Sequence, residues 1–153
     1  MALRAAITSA LLLAVTVAFT GSSMAAEIGR IKVVRGQVSV QRGGQSVPAT
    51  PGMPLTAGDE IRTGPDGSAG ITMNDNSLLS TGPNSVLAMD RFAFDTTTHQ
   101  GRFDSTLRQG TLAVTTGRIA RQSPESMTVR TPAAILGVRG TEFVVSAGDV
   151  AAR

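Results

Sequence analysis

An all-β domain is what this sequence predicts, on three observations. Apolar residues recur at every second position in short runs, turn-forming residues interrupt those runs at intervals of about 8 to 12, and no stretch beyond Glu27 sustains the i, i+3, i+4, i+7 stripe of a packed helix. The first runs are Ile31-Lys32-Val33-Val34 and Val38-Ser39-Val40, whose alternation sends one set of side chains to a core and the other to water. Further strands are expected at 60–63, 69–73, 77–81, 86–94, 102–108, 111–116, 127–131, 134–138 and 142–145. Gly64-Pro65-Asp66-Gly67 carries Asp-Gly, a hairpin cue because both positions tolerate positive φ, and Asn74-Asp75-Asn76 repeats it. Gly43-Gly44 and Gly82-Pro83-Asn84 mark looser loops. Gly36-Gln37-Val38-Ser39-Val40 and Gly110-Thr111-Leu112-Ala113-Val114 share one order, a Gly that permits a tight bend before an alternating strand. The sum is a single domain of about ten short strands, sandwich-like or wound as a short β-solenoid, with Pro48, Pro51 and Pro54 guarding its sheet edges.

The domain is expected over residues 27–148, behind a secretory leader. Arg4 precedes an uncharged, largely apolar run over 5–19, and small residues at Ser23 and Ala25 place the cut after Ala25, so 1–25 is the signal peptide. As a helix that run reaches roughly 22 Å, short of the roughly 30 Å hydrocarbon core, so no permanent membrane span is expected. The destination is a bacterial periplasm. Residues 149–153 are read as a tail that ends the domain early.

Composition removes most chemistries. Aromatic residues are 3% of the 153, with no Trp and no Tyr, which leaves no stacking platform for single-stranded nucleic acid or sugar. Cysteine is absent, removing disulfides, thiol nucleophiles and cysteine metal sites, and a single histidine, His99, cannot form a two-histidine site. Fourteen cations against 11 anions give +3, with the cations spread singly from Arg30 to Arg139 rather than massed, so no nucleic acid is expected as a partner. His99 lies in a polar stretch with no nucleophile elbow, and Asp90, Asp95 and Asp104 lack the aromatic surroundings of a glycosidase acid pair. Asn74-Asp75-Asn76-Ser77 lines up oxygen ligands but has Val86 where an EF-hand loop needs its last Glu, so a hairpin turn explains it better than Ca²⁺. No enzyme, no cofactor and no metal are expected.

The order of the remaining motifs is specific. Gly58-Asp59-Glu60-Ile61-Arg62-Thr63-Gly64 is followed by Leu107-Arg108-Gln109-Gly110, then Thr131-Pro132, then Arg139-Gly140-Thr141-Glu142-Phe143. This series, from about residue 27 to 145, resembles the FecR-like periplasmic domain. The resemblance implies an all-β unit used in signalling, and its motif residues Gly58, Asp59, Thr63, Gly110, Thr131, Pro132, Arg139, Gly140, Thr141 and Phe143 are carried over as structural or partner-contacting. In such proteins a periplasmic part receives a signal from an outer-membrane siderophore receptor and relays it to a cytoplasmic sigma-factor-binding segment. Here a leader stands in place of that segment, and the sequence stops at Arg153 where relatives run on into a further strand. The expected function is therefore an exported, non-enzymatic domain that binds another protein or envelope component in signal transduction or envelope sensing. The alternative is a structural envelope module that holds peptidoglycan or polysaccharide without signalling. Arg139, flanked by Gly137 and Gly140, is expected to place its planar fork on Asp59 or Glu142, or else to contact a partner.

Protein isolated from the periplasm is expected to have lost residues 1–25. An intact mass that still includes them overturns the cleavage.

Overall fold

The computed structural model describes residues 24–148. The leader expected over 1–25 lies outside them except for Met24 and Ala25, and the tail 149–153 lies outside them altogether. Twelve strands occur among the described residues: β1 (Glu27–Arg35), β2 (Val38–Arg42), β3 (Gln45–Pro48), β4 (Pro54–Thr56), β5 (Glu60–Thr63), β6 (Ser68–Met73), β7 (Leu78–Thr81), β8 (Val86–Phe94), β9 (Gly101–Thr115), β10 (Met127–Arg130), β11 (Ile135–Gly137) and β12 (Glu142–Ala147). A five-residue helix, α1 (Arg118–Gln122), and a 3-10 turn at Pro124–Ser126 separate β9 from β10.

Hydrogen bonding joins the strands into one sheet ordered β3-β2-β5-β8-β9-β7-β6-β1-β4, with β10, β11 and β12 attached through β9. β9 serves two arms. Its first half pairs with β8 and β10, its second half with β7 and β12. The sheet curls into a half-barrel around one core, to which both arms contribute fully buried side chains: Ile61, Leu87, Leu107 and Met127 from one, Ile31, Leu55 and Leu112 from the other. Phe103, also buried, meets Phe92 edge to face at 5.5 Å. Every pairing but β9–β10 is antiparallel. A solenoid stacks successive coils in parallel register, so of the two architectures open to the sequence the solenoid is the one not formed.

Sharing β9 requires a fault in its alternation. Before the bend Phe103, Ser105 and Leu107 point inward, and after it Leu112 and Val114 do, so the inward parity changes between Leu107 and Leu112. The change coincides with a register shift against β8, where Val86 faces Gln109 while Leu87 faces Leu107. Arg108 is the extra residue; Gly110 follows it with φ +92, and a Cβ there would collide with Ser85. The Ser85 hydroxyl accepts the Thr111 N–H at 3.0 Å and donates toward Thr111 O at 3.3 Å, holding the corner after β7 against the bend.

The remaining departures from the sequence reading are local. β3 and β4 were not expected, and the two segments expected at 102–108 and 111–116 are one bent strand. Asp66-Gly67 does not close a hairpin: β5 and β6 belong to different arms, and the turn is a corner between them. Gly43-Gly44, both at positive φ, form a tight two-residue hairpin between Arg42 and Gln45 rather than a loose loop. An irregularity in β1 between Ile31 and Val33 buries Ile31 and leaves Val33 half exposed, so the two do not share a face. Helix α1 escaped notice because it is barely more than one turn; its Ile119 and Ala120 are buried in the core.

Gly110→Ala is expected to cost about 3 kcal/mol in urea unfolding, combining left-handed backbone strain with a steric clash. Gly140→Ala, at φ +103 but in open space, is expected to cost only about 1 kcal/mol.

Candidate functional site

The motif residues divide into a buried set and an exposed set. Asp59 opens β5 and is 1% exposed. Arg42, from the end of β2, straddles its carboxylate, Nε to Oδ1 at 2.8 Å and Nη2 to Oδ2 at 2.6 Å. Arg42 Nη2 also donates to Pro54 O, while the Thr56 N–H donates to Asp59 Oδ2 at 2.8 Å. One carboxylate thus ties β2, β4 and β5, while the Asp59 carbonyl accepts the Met89 N–H of β8. Burial pushes the Asp59 carboxyl up, but the bonds from Arg42 and Thr56 outweigh it and hold it below the usual carboxylate range. Gly58, at positive φ, completes the turn in which Asp59 N donates to Thr56 O. Thr63 donates to Gly82 O at 2.6 Å and accepts the Ser85 N–H at 2.8 Å, so it fastens the corner that also backs Gly110.

From Thr131 to Thr141 the motif lies at the surface. Thr131 closes the β10–β11 turn through bonds with Ala134, with Pro132 exposed between them. Arg139 is exposed and makes no ion pair among the described residues, and the acceptor expected for it, Asp59, is taken by Arg42; Glu142 does not pair with it either. The Gly140 and Thr141 carbonyls accept the Thr116 hydroxyl, which anchors this segment to the end of β9, and Phe143 is half-buried against the core. Sequence reasoning therefore found the motif but merged two different kinds of residue.

The other polar candidates are engaged locally. Asp75 is fully buried and accepts the Ser77 N–H and hydroxyl and, at 3.3 Å, the Ile119 N–H, while Ser77 Oγ accepts Gly117 N–H. It secures the start of α1 from across the fold, a role no local spacing reveals. Asp90 accepts the Thr106 hydroxyl, Asp104 accepts Arg102, and Asp95 shapes the β8–β9 turn through the Thr97 and Thr98 N–H groups. His99 stacks on Phe94 in that turn at 6.2 Å.

One surface stands apart. The outer side of β1, β6, β7, β9 and β12 forms a trough of about 590 Å³ with Leu78, Ser80, Ala113 and Val144 along it, Lys32 toward one side and Glu142 toward the other. Leu78 is 49% exposed and Val144 68%, and no sequence signal marked either as a surface residue. Among the described residues β12 is also a sheet edge, because it pairs there with β9 alone.

An all-β half-barrel whose buried polar groups brace its turns and corners is the class of protein these features define. A family model described as "FecR protein" matches residues 59–153, and the chain belongs to that family, whose members take part in signal transduction. The match begins at Asp59, later than the resemblance from residue 27, yet β1, β2 and β4 supply Ile31, Val40 and Leu55 to the same core. No curated protein and no solved structure matches the chain. Among the described residues, no helix is long and apolar enough to cross a membrane.

Asp59→Asn is expected to lower stability by about 2–3 kcal/mol at neutral pH, less than for a fully buried pair because water reaches the half-exposed Arg42. Its depressed pKa stabilises the fold above the unfolded-state value and loses that contribution as pH falls below about 4, so acid titration of stability is expected to be shallower in Asp59→Asn than in the parent chain.

Proposed function

We propose that this chain is an exported, non-enzymatic recognition module of a signalling pathway, working in the periplasm and engaging a protein partner through the trough on the outer side of β6, β7, β9 and β12. Its membership in a signalling family supports the role, and the single observation that carries the surface is that Leu78 and Val144, on the two strands that flank β9, stay exposed on one face with Ser80 and Ala113, on a sheet whose other side already closes the core. Apolar side chains left on such a surface gain from being covered, and a flat array of small and aliphatic residues fits a macromolecular face better than a small molecule.

A photoreactive residue placed at Leu78 is expected to give one dominant protein adduct in intact cells, identified as a receptor or membrane regulator. Val144→Asp is expected to reduce that adduct by about tenfold without changing the melting temperature. Co-sedimentation with purified peptidoglycan in the absence of any protein adduct overturns the reading.

A further inference from the structure

The charges of the described fold are unevenly shared. Residues 27–108 hold eight cations and eight anions, and five of the cations, Arg30, Arg42, Arg62, Arg102 and Arg108, lie in ion pairs. Residues 118–139 hold four Arg against Glu125 alone; Arg118, Arg121, Arg130 and Arg139 are all exposed, and none is ion-paired among the described residues. This stretch is one lobe, since the 3-10 turn at Pro124–Ser126 lies beside Gly137, Val138, Arg139 and Gly140. It also contains the most exposed large aliphatic residue of the strands, Ile135, at 70%.

Within the lobe, and among the described residues, β11 pairs only with β10. The bonds Thr131 N–H to Ala134 O and Val138 N–H to Met127 O flank the pairs Arg130–Ile135, Val129–Leu136 and Thr128–Gly137. Antiparallel ladders alternate, so Leu136 bonds inward to Val129 while the N–H and C=O groups of Ile135 and Gly137 point away from β10. Ile135 stands directly opposite Arg130 on the same side of the ribbon.

We propose that the open edge of β11 receives an extended acidic segment of a partner protein as an added strand, its backbone bonding to Ile135 and Gly137, its carboxylates meeting Arg130 and Arg139, and its apolar side chains covering Ile135. This deepens the recognition role argued above and rests on it. A peptide backbone supplies the alternating donors and acceptors that this edge lacks, which a lipid surface does not. A second copy of this chain is disfavoured, because edge-to-edge pairing would bring its own Arg130 and Arg139 toward the same cations.

Fluorescence anisotropy on the purified protein tests this with labelled peptides of alternating Glu-Val and alternating Lys-Val. The Glu-Val peptide is expected to bind about tenfold tighter or better, weakening as salt is raised, and R130E/R139E is expected to reverse the preference. Gly137→Pro removes an N–H that faces away from β10, and is expected to weaken binding about tenfold with the melting temperature unchanged. Equal affinity for both peptides, binding to neither, or affinity for phosphatidylglycerol vesicles that Gly137→Pro leaves intact overturns the proposal. A cell adduct at Leu78 that survives R130E/R139E unchanged also overturns it while leaving the recognition role standing; loss of every protein adduct in the parent chain removes that role instead.

Discussion

The fold depends on a single strand being allowed to change sides. Among the described residues β9 is the only strand bonded into both arms of the sheet, and each arm needs its inward residues, Phe103 and Leu107 in one and Leu112 and Val114 in the other, to face the same core. A perfect period of two over fifteen residues forbids this, because odd positions face inward before the bend and even positions after it. The extra residue at Arg108 resolves the conflict, and Ser85 and Thr63 brace the bend that follows at Gly110 from the neighbouring corner. Removing that extra residue would turn one half of β9 inside out.

The family motif acquires two meanings in this light. Gly58, Asp59, Thr63 and Gly110 maintain the junctions between arms: they are buried or sterically enclosed, or they shape the turn that presents Asp59. Thr131, Pro132, Arg139 and Gly140 border a ribbon whose buried side chains are Met127, Val129 and Val138. A residue pattern shared by a family thus records both what holds this half-barrel together and what the half-barrel presents. The cations lean the same way among the described residues: five of the eight before Gln109 lie in ion pairs, whereas none of the four from Arg118 to Arg139 does. Even spacing along the chain concealed this, because charge balance is set by neighbours in space.

The strands at 60–63 and 86–94 were legible to the residue, because aliphatic alternation there ends at strong turn formers. β3 and β4 were not, since each is short, lies at a sheet edge and holds Pro, which weakens the local signal while leaving one side free to pair. The Asp59 acceptor was legible as a motif position, but the cation considered for it was Arg139, with Glu142 or a partner as that residue's other contacts, whereas the guanidinium that reaches Asp59 comes from Arg42 at the end of β2. Asp75 likewise looked like part of a turn or a weak cation loop, because its bond to Ile119 joins residues far apart in the chain.

By itself the sequence determined the all-β class, the positions of most strands, the absence of thiol chemistry and the family pattern, since these follow from side-chain period, turn chemistry and composition, which are local. Only the tertiary structure decided that the strands form one curled sheet and not a coil, that Asp66-Gly67 turns a corner, and which apolar side chains stay in water. Those outcomes depend on strand pairing between distant segments, where a shift of one residue exchanges the inside of a sheet for its outside.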